Sequence, residues 1–302
     1  MSMMNWRRTY TLKAGVRNQT GFLVGNVESA DQIALKIDFE IEKADVKSPN
    51  TGKITIWNLS DDNLKILEQE KCIVELKAGY DMTMPLALVG AVASVTTSPD
   101  NADRQTELQV ADGLISVRDI YITVSLNGVV KSQDLYALIA NEMGLPIVFS
   151  EELAYVDLPN GFSFVGKAKD ALQKVATYNG HIWSIQNQII QVTYSGRPLS
   201  PIGYVLNSST GLINVPKRVT IETQSSKQTG WEVEFLLNPA IGVNDVVRIE
   251  SKAVNGLFRV QKITHKGDNY EGDWISTAQV FEIKAPPVSA SKSSTVPGNV
   301  QT

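Results

Sequence analysis

Hydrophobic and polar positions alternate through much of the first third of the chain. Ile33, Leu35, Ile37, Phe39 and Ile41 are interleaved with Ala34, Lys36, Asp38, Glu40 and Glu42. A period of two predicts a strand with one packed and one wet face. Trp6, Arg8, Tyr10 and Leu12 alternate likewise, with Arg8 out of place, and Lys53–Leu59, Cys72–Ala78 and Gln105–Ala111 are further strand candidates. One short helix is expected among them. Ser60 can cap it, Asp61 and Asp62 suit its positive N-terminal end, and Leu64 and Leu67 give it one apolar edge. Many strands and one short helix predict a small β-barrel or sandwich over residues 1–118.

The period changes over residues 119–199. Tyr121–Leu126 reads as a strand. A helix capped by Ser132 follows, with Leu135, Leu138, Ile139 and Met143 on one face and Gly144 and Pro146 at its end. Ile147–Phe149 and Phe162–Val165 are short strands. A second helix carries Ala168, Ala171, Leu172, Val175 and Ala176 and closes at Gly180. His181–Ile185 and Ile189–Tyr194 then predict a hairpin across Gln186, Asn187 and Gln188. The order β-α-β-β-α-β-β describes a compact α+β module.

Strand patterns return over residues 200–284. Trp231, Val233, Phe235 and Leu237 alternate with Glu232, Glu234 and Leu236 until Asn238-Pro239 breaks the run. Val247 and Ile249, Phe258 and Val260, and Ala278 and Val280 continue the pattern of a second small β domain. Residues 285–302 lack periodicity, carry Pro286, Pro287 and Pro297, and read as a disordered tail. The fold class expected is mainly β with an α+β insert.

Composition narrows the chemistry. The 302 residues include one cysteine and two histidines, at a formal net charge of -4. Cys72 alone excludes an intramolecular disulfide and a cysteine-based zinc site, and an acidic balance argues against a broad nucleic-acid surface. No run of eighteen apolar residues occurs, so no membrane-spanning helix is expected, and Met1–Arg8 has no apolar core of the kind a secretory signal needs.

Each candidate for chemistry has a plainer explanation. Glu151, Glu152 and Asp157 could form a glycosidase-like pair, but acidic residues beside a loop are ordinarily solvated. Cys72 shares a strand face with Val74 and Leu76 and reads as a small core residue. His265, Asp268 and Asp273 around Gly267 and Gly272 read as a polar turn between strands, because a metal would need further ligands at fixed spacing. His181 opens an apolar strand and reads as structural. Trp6-Arg7-Arg8 and Lys217-Arg218 are the densest basic stretches and lie near strand starts. No phosphate-binding loop or nucleophile elbow is present. Trp6, Trp57, Trp183, Trp231 and Trp274 suit core packing or subunit contacts better than ligand stacking. No catalytic, metal-binding or cofactor-binding residue is expected.

An ordered series of short motifs carries a family resemblance. Ser48-Pro49-Asn50 leads to Ile54-Thr55-Ile56-Trp57-Asn58-Leu59-Ser60, then Val74-Glu75-Leu76-Lys77-Ala78-Gly79-Tyr80, Leu88-Val89-Gly90 and Leu108-Gln109-Val110-Ala111-Asp112-Gly113. Later come Ser209-Thr210-Gly211-Leu212-Ile213, Pro216-Lys217-Arg218, Leu236-Leu237-Asn238-Pro239, Gly256-Leu257-Phe258-Arg259-Val260, His265-Lys266-Gly267-Asp268 and Trp274. Over about residues 30–283 this succession resembles the baseplate hub proteins of contractile-tailed bacteriophages and tail-like bacteriocins. The middle segment is also similar in element order to the small α+β packing modules of secretin periplasmic regions.

The hub resemblance implies two tail-tube-like β-barrels flanking the module, and a homotrimer whose six barrels match a six-fold tail tube above a three-fold central spike. It implies as partners the tail tube protein, the spike protein and baseplate wedge proteins. It also implies a place in the virion after synthesis in the host cytoplasm, and a lumen that DNA traverses without specific binding. Some related hub polypeptides carry fused lysozyme or spike domains, so any cell-wall hydrolase here is expected on another chain. Trp57, Trp231 and Trp274 are the candidate subunit or partner contacts. A cell-wall-degrading tail protein and a secretion-system assembly protein are the rival readings.

Overall fold

Three apolar clusters organise the described residues, each built mainly from one stretch of sequence, with Leu237 and Trp274 of the last stretch joining the first cluster. The structure is a computed structural model that describes residues 7–201, 203–222 and 227–283. Trp6 and the expected tail, residues 285–302, lie outside the described residues. The first cluster holds Tyr10, Phe39, Ile54, Ile56 and Leu76, the second Ile122, Ile139, Leu172 and Val192, and the third Leu206, Phe235, Ile249 and Ile263. Burying such side chains is the main favourable term in folding.

The first stretch contains β1 (Arg8–Gly15), β2 (Phe22–Gly25), β3 (Ile37–Ala44), β4 (Thr51–Trp57), α1 (Asp61–Leu67), β5 (Ile73–Tyr80), β6 (Leu86–Asp100), β7 (Asp103–Ala111) and a second short helix, α2 (Leu114–Arg118). The middle stretch contains β8 (Tyr121–Leu126), α3 (Ser132–Met143), β9 (Ile147–Phe149), β10 (Phe162–Lys167), α4 (Ala168–Asn179), β11 (Ile182–Gln186) and β12 (Ile189–Thr193). The last contains β13 (Gly203–Leu206), β14 (Lys217–Glu222), β15 (Lys227–Leu236), β16 (Val246–Glu250), β17 (Asn255–Asp268) and β18 (Trp274–Glu282). The fold is mainly β with an α+β insert, and the insert has the element order expected from its periodicity.

The two β stretches share one sheet. Among the described residues its thirteen strands run β14-β15-β18-β17-β3-β4-β7-β6-β5-β1-β2, with β16 also on β17 and β13 on β16. β17 makes this possible. One of its edges pairs with β18, while the other pairs first with β16 over Asn255–Arg259 and then with β3 over Lys262–Asp268. A register shift between Val260 and Lys262 marks the change, as a β-bulge does. The sheet curls far enough to bring β1 and β5 back onto β17 and β18. Arg8 Nη1 donates to the Asp268 carbonyl at 2.7 Å, and Trp274 Nε1 to the Gly79 carbonyl at 3.2 Å. The wet face is laced by cross-strand pairs such as Lys53–Glu107, Lys262–Glu42 and Lys266–Glu40. Exposed pairs of this kind add little stability but keep the face soluble.

Several local expectations change. The strand expected from Ile33 begins only at Ile37, and Ile33 is 94% exposed. Side chains satisfy the backbone before it. Gln32 Oε1 accepts from the Val27 and Glu28 amides, and the Leu35 carbonyl accepts from Tyr10 and Asn269. Ser132 does not cap α3. It is the first helical residue, and its hydroxyl donates to the Val156 carbonyl at 2.5 Å. Helix α2 has five residues, too short to show a period, and its Val117 packs into the middle cluster.

Candidate structural junction

The tip of the β11–β12 hairpin sits in a buried polar seam between the middle module and the sheet. Asn187 and Gln188 at its turn have φ of 51° and 64°, the paired positive angles a type I′ hairpin turn requires. Gln188 is a poor residue for that conformation, and Asp112 holds it there. The Asp112 carboxylate accepts from the Asn187 amide at 2.5 Å, the Gln188 amide at 2.9 Å and Gln188 Nε2 at 2.8 Å. Asp112 is itself 0% exposed.

The strand ends around the tip supply the remaining partners. Lys43 Nζ donates to Asn187 Oδ1 at 2.9 Å. Asn50 Nδ2 donates to the Ile185 carbonyl at 2.8 Å and to Gln186 Oε1 at 2.9 Å, while Asn50 Oδ1 accepts from the Ala44 amide. Gln186 Nε2 returns to the Ala44 carbonyl at 3.0 Å. On the side of the third stretch, Asn244 Nδ2 donates to Gln191 Oε1 at 3.0 Å. Gly113, at φ 69°, lets the chain turn into α2 beneath the hairpin, where an added Cβ would lie 2.8 Å from Ile185 Cδ1.

Where β17 changes partners, Arg259 closes the seam. Its Nη1 reaches Asp45 Oδ2 at 2.5 Å and Asn244 Oδ1 at 2.6 Å, and both charged side chains are nearly excluded from water. Burial lowers the Lys43 ammonium to about 8, although the Asp112 and Asp245 carboxylates pull it back up. Burial raises Asp112, offset first by the Gln188 amide and then by Lys43. It also raises Asp245, offset by the Gly242 amide and Lys43. These charges are held by hydrogen bonds and by one another, as buried ions must be.

His265 lies fully buried inside the sheet, with Nδ1 2.8 Å from Ser276 Oγ. Burial first, and then Lys43, lowers its pKa to about 3. An unfolded chain takes up this proton below about pH 6.5 and the folded chain does not, so stability should fall as pH drops from about 6.5 toward 3. Denaturant titrations between these limits should show a steeper loss for the native chain than for His265→Gln, by up to about 1.4 kcal/mol per pH unit. Equal slopes would contradict this role.

The remaining sequence candidates do not converge. Glu152 pairs with Arg197, and the Asp157 backbone carbonyl accepts from Tyr178. Cys72 is buried, and that burial pushes its thiol pKa up, opposite to what a nucleophile needs. His181 is spent on structure, 3.1 Å from the Tyr136 hydroxyl and 3.0 Å from the Ala154 carbonyl. Among the described residues no group of three or more His, Cys, Asp or Glu is placed to hold a metal.

Of the three contact tryptophans, Trp57 and Trp231 are half-exposed, with Lys36 Nζ 4.3 Å and Arg218 Cζ 5.7 Å from their ring centroids. Trp274 is a correction. It is 3% exposed and meets Phe39 edge to face at 5.5 Å, so its ring offers no surface to a neighbour. Gly267 leaves room for it, since a Cβ there would lie 2.3 Å from Phe39 Cζ. No local sequence motif marks the junction residues Asp112, Lys43 and Arg259 as a site. The local signs of it are the Asn187-Gln188 turn and the Asp112-Gly113 pair.

No protein-family model and no curated protein matches the chain by sequence. Solved structures match its fold. The 43 kDa tail protein of prophage MuSo2 from Shewanella oneidensis aligns at a TM-score of 0.62 and 10% identity, over 90% of this chain and 96% of that one. A tail protein from Neisseria meningitidis MC58 aligns at 0.55 and 11%, again over 90% and 96%. The E. coli c3393 protein, a type VI secretion component with structural similarity to the T4 tail proteins gp27 and gp5, aligns at 0.56 and 10%, over 89% and 76%. The chain has the fold of these tail proteins.

Proposed function

We propose that the protein is a non-enzymatic structural subunit of a phage tail baseplate. It acts as a hub that adapts a six-fold tail tube to a three-fold central spike around the passage for DNA. The observation that carries this reading is coextension of fold, end to end with a tail protein over 90% of this chain and 96% of the other. The sheet shared by the two β stretches supports it. A hub must hold two barrel-like units at a fixed relative position, and β17 runs through both.

Three chains with two units each present six similar faces to the tube and three equivalent ones to the spike. Such a ring closes through contacts between unlike surfaces. Its partners are then the tail tube protein, the spike protein and baseplate wedge proteins. The protein's place is the virion, after synthesis in the host cytoplasm. The net charge of -4 suits a lumen that does not hold phosphates. Trp57 and Trp231 remain the candidate contacts. Light scattering on the full chain, alone and with its spike, should report three chains of 33.1 kDa each. A single-chain mass under both conditions would overturn the reading.

A further inference from the structure

Lys43 is the one lysine buried among the described residues, and its partner is unusual. It is 2% exposed, and lysines are almost never so buried unless paired with a carboxylate. Among the described residues Lys43 forms no salt bridge. Its Nζ donates one hydrogen bond, to the side-chain amide oxygen of Asn187 at 2.9 Å. A carbonyl bond is about 1.2 Å long, so the Asn187 amide carbon lies within about 4.1 Å of Nζ. Reacting atoms held for attack lie about 3–3.5 Å apart, so little closure is needed.

The surroundings suit a reaction between the two groups. Burial holds the Lys43 pKa at about 8, and a desolvated amine is the nucleophilic form of lysine. Asp112, 0% exposed, accepts the backbone amide of the same Asn187 at 2.5 Å, and its charge acts on Lys43. Asn187 is only half-buried, which leaves a small departing group a route to water.

We infer that Lys43 and Asn187 join in a side-chain isopeptide bond, with Asp112 carrying the proton. Lys43 Nζ, having given one proton to water, attacks Asn187 Cγ. The new C–N bond forms as the carbonyl π pair moves onto Oδ1. A second proton passes from Nζ, through the Asp112 carboxylate, to Nδ2. The pair on Oδ1 re-forms the carbonyl, the Cγ–Nδ2 bond breaks with its electrons on nitrogen, and ammonia leaves. No oxidant, reductant or further reactant is consumed. The hydrogen-bonded seam described above is the state before this step. The product ties β3 to the β11–β12 hairpin tip across 144 positions. The middle module then stays on the sheet even where its hydrogen bonds open, and the unfolded chain is constrained as by any long cross-link.

The test is intact mass spectrometry of the full-length chain after incubation at about pH 9, where the Lys43 amine is mostly neutral. The native chain should weigh one ammonia less than its sequence requires. Digestion should yield one branched peptide joining the residues around Lys43 to those around Asn187. Lys43→Arg and Asn187→Ala should each keep the full mass, with melting curves confirming that they fold. Asp112→Asn keeps an acceptor oxygen but carries no proton, and should link at least about a hundredfold more slowly. A native chain of full sequence mass would overturn the proposal, whatever the variants do. So would a lost ammonia that maps to an Asn-Gly pair such as Asn127-Gly128, where the backbone nitrogen can close a succinimide. Linkage of Asp112→Asn at the native rate would overturn the role given to Asp112.

Discussion

Replacing Asp112 by alanine is expected to destabilise the protein by about 3–5 kcal/mol, the range for removing one partner from a buried charged network. The change strips the Asn187 and Gln188 amides of their acceptor and removes one of the two carboxylates, Asp112 and Asp245, whose charge offsets the burial of Lys43. The loss should be regional. The middle module has its own apolar core, and its polar contacts to the sheet run mainly through the β11–β12 hairpin. Hydrogen exchange should accelerate first in β11 and β12 and later in β3 and β17. Asp112→Asn keeps one acceptor oxygen and should cost less, about 1–3 kcal/mol. Uniform exchange, or an alanine variant as stable as the native chain, would show that Asp112 does not anchor the module.

Replacing Arg259 by methionine should cost a similar amount, about 3–5 kcal/mol, because Asp45 then stays buried without its partner. The double variant Arg259→Met with Asp45→Leu should recover most of that loss, since a buried ion pair is commonly no more stable than an apolar pair of like volume. Urea unfolding of the three variants separates the cases. If the double variant is as unstable as the single one, the contact with Asn244 at 2.6 Å is the part that matters, and the clamp is a hydrogen bond more than an ion pair.

These residues also mark where the sequence stops being readable. The middle module is legible because its information is local. Leu135, Ile139 and Met143 recur at helical spacing, and Gly144 and Gly180 take the left-handed angles, φ 68° and 70°, that end α3 and α4. The alternation in β3, β15 and β18 is equally local. Asp112, by contrast, acts on Asn187 across 75 positions, and Arg259 on Asp45 across 214. No periodicity links such pairs.

Arg259 is also hidden by the strand it occupies. Between Phe258 and Val260, alternation places it on a wet face, yet all three are buried where β17 passes from β16 to β3. The shared sheet is invisible to local patterns for the same reason. Its pairings of β17 with β3 join residues more than two hundred positions apart, whereas short patterns alone describe two separate β domains. The strand pattern of Trp274 fits a core ring and a subunit contact equally well. Only its packing on Phe39 decides between them.

The central claim is that this fold closes into a three-fold ring with an open centre. Averaged electron-microscope images of the full-length chain, alone and with its spike, test it most directly. The account predicts rings of three chains enclosing a pore, with six similar lobes on the face toward the tube. Single compact particles under both conditions, or two-fold dimers without a pore, would contradict it.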